Sequence, residues 1–238
     1  GEYKKAIKYY NKAIKINPNH VIAYFSLGNT FKKLGENQKA IKYYNKAIKI
    51  NPNYANAYND LGVTFIEMGE AQKAISSFKK AIKIEPNYVD PLNNLGVIYK
   101  ELREIKKAIN CYNKAIKINP NFVSAHNNLG IVFKELGEHQ NAISCFEKVI
   151  KINPNYLIAD FNLGLVFKKM GEIKKAINCF EKVIKINPNY INAHIKIGDI
   201  YMELGELQKA KSFYDKAIKI DPNNEYLANS LSKLKNIQ

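Results

Sequence analysis

Prolines recur at a fixed interval along this chain: Pro18, Pro52, Pro86, Pro120, Pro154, Pro188 and Pro222, each 34 residues after the last. A period of that length marks a stacked repeat, in which one supersecondary unit recurs and buries its apolar face against its neighbours. Each proline lies in a near-constant turn. The turn is INPN from Ile16, Ile50, Ile118, Ile152 and Ile186, IEPN from Ile84 and IDPN from Ile220. Proline cannot continue a helix and moves the preceding residue out of the right-handed helical region, so each turn closes a helix. A second break divides the period at Gly35, Gly69, Gly137, Gly171 and Gly205, each followed by glutamate and then helical sequence. Glycine at a helix C-terminus with an acid opening the next first turn reads as a stop and a fresh start.

With the turn proline numbered 32, six complete units span 21–54, 55–88, 89–122, 123–156, 157–190 and 191–224. Each is expected to hold two helices, A then B, in one continuous solenoid domain. Helix A carries apolar residues at positions 3, 7, 10, 11 and 14, such as Ala125, Leu129, Val132, Phe133 and Leu136. Helix B carries them at 20, 21, 24, 27 and 28, such as Ala142, Ile143, Phe146, Val149 and Ile150. Both sets form single helical faces. Position 8 is glycine in all six units, from Gly28 to Gly198, although glycine inside a helix costs about 1 kcal/mol relative to alanine. A cost repeated six times predicts close helix packing at that point. Residues 1–20 hold only the B half of a repeat, which predicts a chain cut from something longer and an exposed stripe able to self-associate. Residues 225–238 read as a C-terminal capping helix, with Ser232 where glycine belongs and Lys235 where an aromatic belongs.

These positions carry a family resemblance. The aromatic at position 4 (Tyr24, Tyr58), leucine at 7, glycine at 8, aromatics at 11 and 24, alanine at 20 and 27 and proline at 32 resemble the tetratricopeptide repeat, over essentially the whole chain. Departures are local: position 4 becomes Leu92, His126, Asp160 and His194, position 27 becomes Val149 and Val183, and Ile197 replaces leucine at position 7. The resemblance implies an all-α, right-handed superhelical solenoid of antiparallel helix pairs, A helices lining the concave surface and B helices the convex one.

Catalysis finds no foothold in the motifs: there is no Gly-rich phosphate loop, G-x-S-x-G or H-E-x-x-H, and no cofactor or metal is called for. His126 and His194 share position 4 but lie two repeats apart, too far for joint ligation at ~2 Å bond lengths. Cys111, Cys145 and Cys179 share position 23 in successive repeats. Packed helices ~8 to 10 Å apart keep them beyond disulfide reach, so they read as small packing residues. An odd cysteine count with no N-x-[ST] acceptor fits a reducing, cytoplasmic setting. No run approaches the ~18 apolar residues of a membrane span.

The formal charge of +16 comes from 36 lysines and a single arginine, Arg103. Lysine recurs at position 26 (Lys12, Lys46, Lys80, Lys114, Lys148, Lys182, Lys216) and at position 29 (Lys15, Lys49, Lys83, Lys117, Lys151, Lys185, Lys219). These two B-helix ladders read first as a solvated face and second as a surface for an anionic partner. Specific nucleic-acid readout favours arginine and stacked aromatics, which weighs against nucleic acid.

The non-core face of helix A is more informative. Asn94, Asn128 and Asn162 occupy position 6 in successive repeats after Asp60, and Asn59, Asn93 and Asn127 occupy position 5. Helix propensity does not explain stacked asparagine. An amide can donate to a peptide C=O and accept from a peptide N–H at once. Val63, Val97, Ile131 and Leu165 at position 9, with Phe161 at position 5, add apolar contacts. The expected function is a protein-interaction scaffold holding an extended peptide in this groove. The ladder resembles the repeat arm of O-linked N-acetylglucosamine transferases, which leaves open a non-catalytic, substrate-presenting arm of a larger enzyme. The carboxylate clamp for chaperone EEVD tails does not match: Asn29 is the only asparagine at position 9, and Phe25 stands where the clamp lysine belongs.

Overall fold

In the computed structural model residues 1–237 are described, with side chains through Leu234. The Lys235 side chain therefore lies outside the described residues. Among them are fourteen α-helices and no strands: α1 Glu2–Ile16, α2 Val21–Lys33, α3 Asn37–Ile50, α4 Ala55–Glu67, α5 Ala71–Ile84, α6 Val89–Glu101, α7 Ile105–Ile118, α8 Val123–Leu136, α9 His139–Ile152, α10 Leu157–Lys169, α11 Ile173–Ile186, α12 Ile191–Glu203, α13 Leu207–Ile220 and α14 Glu225–Ile237. Their order reproduces the A and B helices expected from the sequence. Packing divides the chain into two compact units, Gly1–Ala125 and a second starting at His126. Within each unit an A helix packs on its own B helix (α2 on α3, α4 on α5, α6 on α7, α10 on α11, α12 on α13), and B helices pack on the next A helix. A helices also meet directly, α2 with α4 and α4 with α6.

Each break in the pattern has a local cause. After helix A, the N–H of the glutamate at position 16 reaches back five residues, as from Glu36 to the Phe31 carbonyl (2.9 Å), while Gly35 donates to Lys32 (2.9 Å). That double closure is the Schellman motif, which needs a left-handed residue between the two helices. The five glycines sit at φ 73° to 78°. After helix B, Asn17, Asn51, Asn119, Asn153 and Asn187 each accept, through Oδ1, the N–H two residues on (3.0 to 3.2 Å). This side-chain turn explains asparagine before the proline in the INPN motif.

The position-8 glycines sit against the aromatic ring at position 24 of their own B helix. A Cβ at Gly62, Gly130, Gly164 or Gly198 would fall 2.6, 2.8, 2.7 or 2.5 Å from the rings of Phe78, Phe146, Phe180 and Tyr214, and Gly28 and Gly96 meet Tyr44 and Tyr112 in the same way. Those six rings are the largest fully buried side chains of the described residues. Alanine at positions 3, 20 and 27 is also buried, as at Ala57, Ala74 and Ala81, so small residues surround each ring.

A recurrent clasp holds the outer corner. Glutamate at position 16 pairs with lysine at 19 (Lys39 with Glu36, Lys73 with Glu70, Lys107 with Glu104, Lys175 with Glu172, Lys209 with Glu206). The same five ammonium groups lie 5.1 to 5.5 Å from the centre of the position-11 ring.

Two substitutions test this geometry. Gly62→Ala gains about 1 kcal/mol in helix propensity but drives a methyl into a fully buried Phe78, an overpacking cost of ~1 to 3 kcal/mol; thermal melting is expected to show a net loss. Arg103 occupies the glycine site at φ 61°, a left-handed conformation costing roughly 1 to 2 kcal/mol for a side-chain-bearing residue. Arg103→Gly is expected to raise the melting temperature, and an unchanged or lower value would contradict that account.

Candidate functional site

Helix periodicity places positions 5, 6 and 9 on one side of each A helix, where positions 5 and 9 still reach the position-24 ring of their own B helix, as Phe25 and Asn29 reach Tyr44 and Phe161 reaches Phe180. In the first unit this brings together Asn59, Asp60, Val63, Asn93, Asn94 and Val97, on α4 and α6. Asn94 Nδ2 donates to Asn59 Oδ1 across the α4–α6 seam (3.2 Å), and Asn59 Nδ2 donates to Asp60 Oδ1 (3.1 Å). The ladder therefore begins as a chain of amides within the protein. Asn59 is buried while Asn94 is half-buried, as are Val63 and Val97. Position 5 was expected on an open face, but at Asn59 the direct approach of one A helix to the next covers it, while Asn93 stays half-buried. Among the described residues Asn94 Oδ1 has no partner, so its carbonyl is available beside the two valines.

Beside Asp60 a cleft of about 470 Å³ is lined by Asn29, Lys32, Lys33, Asp60 and Glu67. Lys32 and Glu67 form an ion pair across it (3.6 Å), and Asn29 Oδ1 accepts from the buried Tyr44 hydroxyl (2.6 Å). Burial raises the Asp60 carboxyl above its ordinary range; Lys32 and the Asn59 amide oppose the shift, and Asp90 adds to it. The sequence singled out Asp60 but missed Lys32 and Glu67, whose pairing joins position 12 of one A helix to position 13 of the next.

In the second unit the residues are Asn127, Asn128, Ile131, Phe161, Asn162 and Leu165. Asn162 is buried, donates to the Ile158 carbonyl of its own helix (2.9 Å) and accepts from Lys134 Nζ (2.6 Å). Much of its hydrogen-bonding capacity is thus used internally. Asn127 is also buried, and its Oδ1 has no partner among the described residues. Phe161 packs against Phe180 and Tyr190, ring centres 5.4 and 5.3 Å away, so half of it belongs to the core. Ile131 and Leu165 remain half-buried.

The B-helix lysines are mostly exposed, with Lys148 and Lys182 half-buried, and three of them make contacts beyond solvent. Lys182 pairs with the buried Asp160 (2.8 Å), Lys46 lies over Tyr24 and Tyr43, and Lys216 lies over Phe213. The three cysteines are free, and burial pushes the Cys145 and Cys179 thiols up to about 11. His126 and His194 are buried. No group of three or more His, Cys, Asp or Glu side chains is placed to hold a metal among the described residues, and no helix there is long and apolar enough to cross a membrane.

Comparison with family models places the repeat. Residues 1–35, 28–69, 64–103 and 98–137 match a model described as TPR repeat, and 123–156 and 167–234 match models described as tetratricopeptide repeat. The chain belongs to the tetratricopeptide repeat family. Among solved structures, this tetratricopeptide chain is similar to a chain of the APC/C hetero-tetramer Cut9–Hcn1 (20% identity, TM-score 0.76), with 98% of this chain covered and 46% of that one, so it spans about half that protein's resolved length. PilF of Pseudomonas aeruginosa matches end to end, 100% of each chain, at 18% identity and TM-score 0.75. YrrB, described as a TPR protein with an unusual peptide-binding site, shares 26% identity over 77% of this chain and 95% of its own, at TM-score 0.60. No curated protein sequence matches. The tetratricopeptide fold is that of a protein-interaction scaffold.

The raised Asp60 carboxyl gives a pH test. The native state holds this proton to higher pH than the unfolded chain, whose carboxyl titrates near 3.8. The contribution to stability is therefore complete below about pH 4 and is lost as pH rises through the raised value. Asp60→Asn is expected to raise the melting temperature at pH 7, with the gain vanishing near pH 3.5; an equal gain at both pH values would show that the effect is not the carboxylate's.

Proposed function

We propose that this chain is a non-catalytic scaffold that binds an extended peptide along its A-helix face. The observation that carries the proposal is Asn94: its amide is fixed by Asn59, its carbonyl is unclaimed among the described residues, and half-buried Val63 and Val97 flank it. A fixed amide loses little entropy on meeting a peptide N–H, and the valines offer apolar contact for alternate side chains of an extended ligand. Asp60, held above its usual carboxyl range by burial, gains most from a ligand donor or cation. In the second unit, half-buried Ile131 and Leu165 offer the same apolar surface, while the unpartnered Asn127 Oδ1 is itself buried. The peptide-binding relative YrrB supports the same reading. The lysine ladders are assigned to solubility, and nucleic acid is expected to bind weakly and to be lost between ~50 and 200 mM salt. Attachment to an enzyme would make the same face a substrate-presenting arm.

One to two hydrogen bonds per amide, at about 0.5 to 1.5 kcal/mol each, plus apolar contact and less the ordering of the peptide, lead to affinities near micromolar, about −8 kcal/mol. Peptides selected from a random display library are expected to bind in that range. Asn94→Ala combined with Val97→Ser is expected to weaken the selected peptides at least tenfold with helicity unchanged. Unaltered affinity, with loss instead on replacing Lys80, Lys83 and Lys148 by glutamine, would move the binding surface to the B helices.

A further inference from the structure

The B-helix side carries a second, chemically different feature. In unit 21–54 the position-23 ring, Tyr43, stacks flat on the position-11 ring, Phe31 (centres 5.2 Å apart, planes 2° apart), lies beside the position-4 ring of Tyr24 (6.4 Å) and has the position-26 ammonium of Lys46 above it (5.8 Å). Unit 191–224 repeats the arrangement: Phe213 stacks on Tyr201 (5.8 Å), lies beside His194 (6.1 Å) and sits under Lys216 (5.1 Å). The fold therefore has a defined place for one ring between a ring below and a cation above.

Unit 89–122 keeps the ring below, Tyr99, and the cation, Lys114, but has Cys111 at position 23 and Leu92 at position 4. The ring that fills the place in units 21–54 and 191–224 is missing, as it is at Ser77, Cys145 and Cys179 in the other units. What remains is an open groove of about 320 Å³ among α5, α6 and α7, floored by Ile82, Leu92, Leu95, Tyr99 and Cys111 and rimmed by Lys79, Lys107, Lys114 and Asn110. Lys107 is occupied by Glu104 and by the Tyr99 ring. Lys79 and Lys114 are exposed and have no carboxylate partner among the described residues.

We propose that this groove is a docking site for an aromatic side chain of an acidic protein segment. The ring takes the place that Tyr43 and Phe213 take in their own units, stacked on Tyr99 beneath Lys114, and flanking carboxylates meet Lys79 and Lys114. Stacking and cation–π contact select an aromatic over an aliphatic residue. The two unpaired ammonium groups select acidic flanks. The site is separate from the A-helix face and does not rest on the function proposed above.

The chain contains no tryptophan, so a peptide's tryptophan is a clean fluorescent reporter. The probe is a capped pentapeptide Asp-Glu-Trp-Glu-Asp, titrated at low salt against the whole chain. Saturable binding is expected, weakened at least tenfold by Cys111→Phe, which supplies the missing ring from within and is expected to raise the melting temperature. Lys79→Glu with Lys114→Glu, both exposed, is expected to weaken binding at least as much and serves where Cys111→Phe alters folding. Leucine in place of the peptide's tryptophan is expected to cost tenfold, and Asn94→Ala to cost nothing. Equal affinity for Cys111→Phe and the unmodified chain, or for the leucine and tryptophan peptides, would overturn the proposal, as would absence of saturable binding.

Discussion

Everything in this fold depends on one contact, the aromatic ring at position 24 seated on the bare backbone of glycine at position 8. The ring's burial is worth more than the helix stability that glycine forfeits: covering a side chain of that size contributes ~2 to 3 kcal/mol, against about 1 kcal/mol for glycine in a helix. The seat brings helices A and B closer than any other residue at position 8 would allow. It also fixes their rotation, because only one face of helix A presents the glycine. The alanines at positions 3, 20 and 27 complete the seat, and the Schellman closure and the asparagine turn return the chain to the next one. The rule is the same in all six complete units, though Phe78, Phe146 and Phe180 replace tyrosine in three of them.

Once helix A is committed on that side, its opposite face is only partly covered within its own unit, by contacts such as Phe25 on Tyr44 and Phe161 on Phe180. Where two A helices meet, as α4 and α6 do, Asn59 at position 5 is covered and position 9 stays half-open, leaving amides held at the seam and aliphatic side chains beside them. The B-helix side is ruled by a different set of positions, 4, 11, 23 and 26. There the packing is complete in two units by internal rings and is left open in unit 89–122 by Cys111 and Leu92.

The repeat, its two helices, the breaks between them and the tight approach at position 8 could all be read from the sequence, because each is a local property recurring at fixed spacing. Arg103 is a good example: it stands at position 15, where five other units have glycine, and its backbone is left-handed like theirs. The candidate site was legible only in part. Asn94 and Asn162 look identical in the repeat, yet one keeps an unclaimed carbonyl while the other bonds Ile158 and Lys134. That difference is set by what stands at position 12 and at position 5 of adjacent helices, contacts that no single-helix periodicity contains. The ion-paired lysines show the same limit. Lys182 belongs to a ladder by sequence but is claimed by Asp160, a buried acid standing where Tyr24 and Tyr58 stand in other units. The glutamate, lysine and ring clasp at positions 16, 19 and 11 had a readable signal, an acid three residues before a lysine, whose aromatic third member lies on the preceding helix.

The central claim is that the glycine seat leaves the A-helix face as the surface for a partner polypeptide. Methyl NMR tests it most directly, on protein labelled at isoleucine, leucine and valine and titrated with a peptide chosen by unbiased display. The account predicts that the largest shifts fall on Val63 and Val97, or on Ile131 and Leu165, while Ile118 and Ile186, exposed at the ends of B helices, do not move. Shifts concentrated on Ile118, Ile186 and their B-helix neighbours, with the four position-9 methyls unmoved, would contradict it.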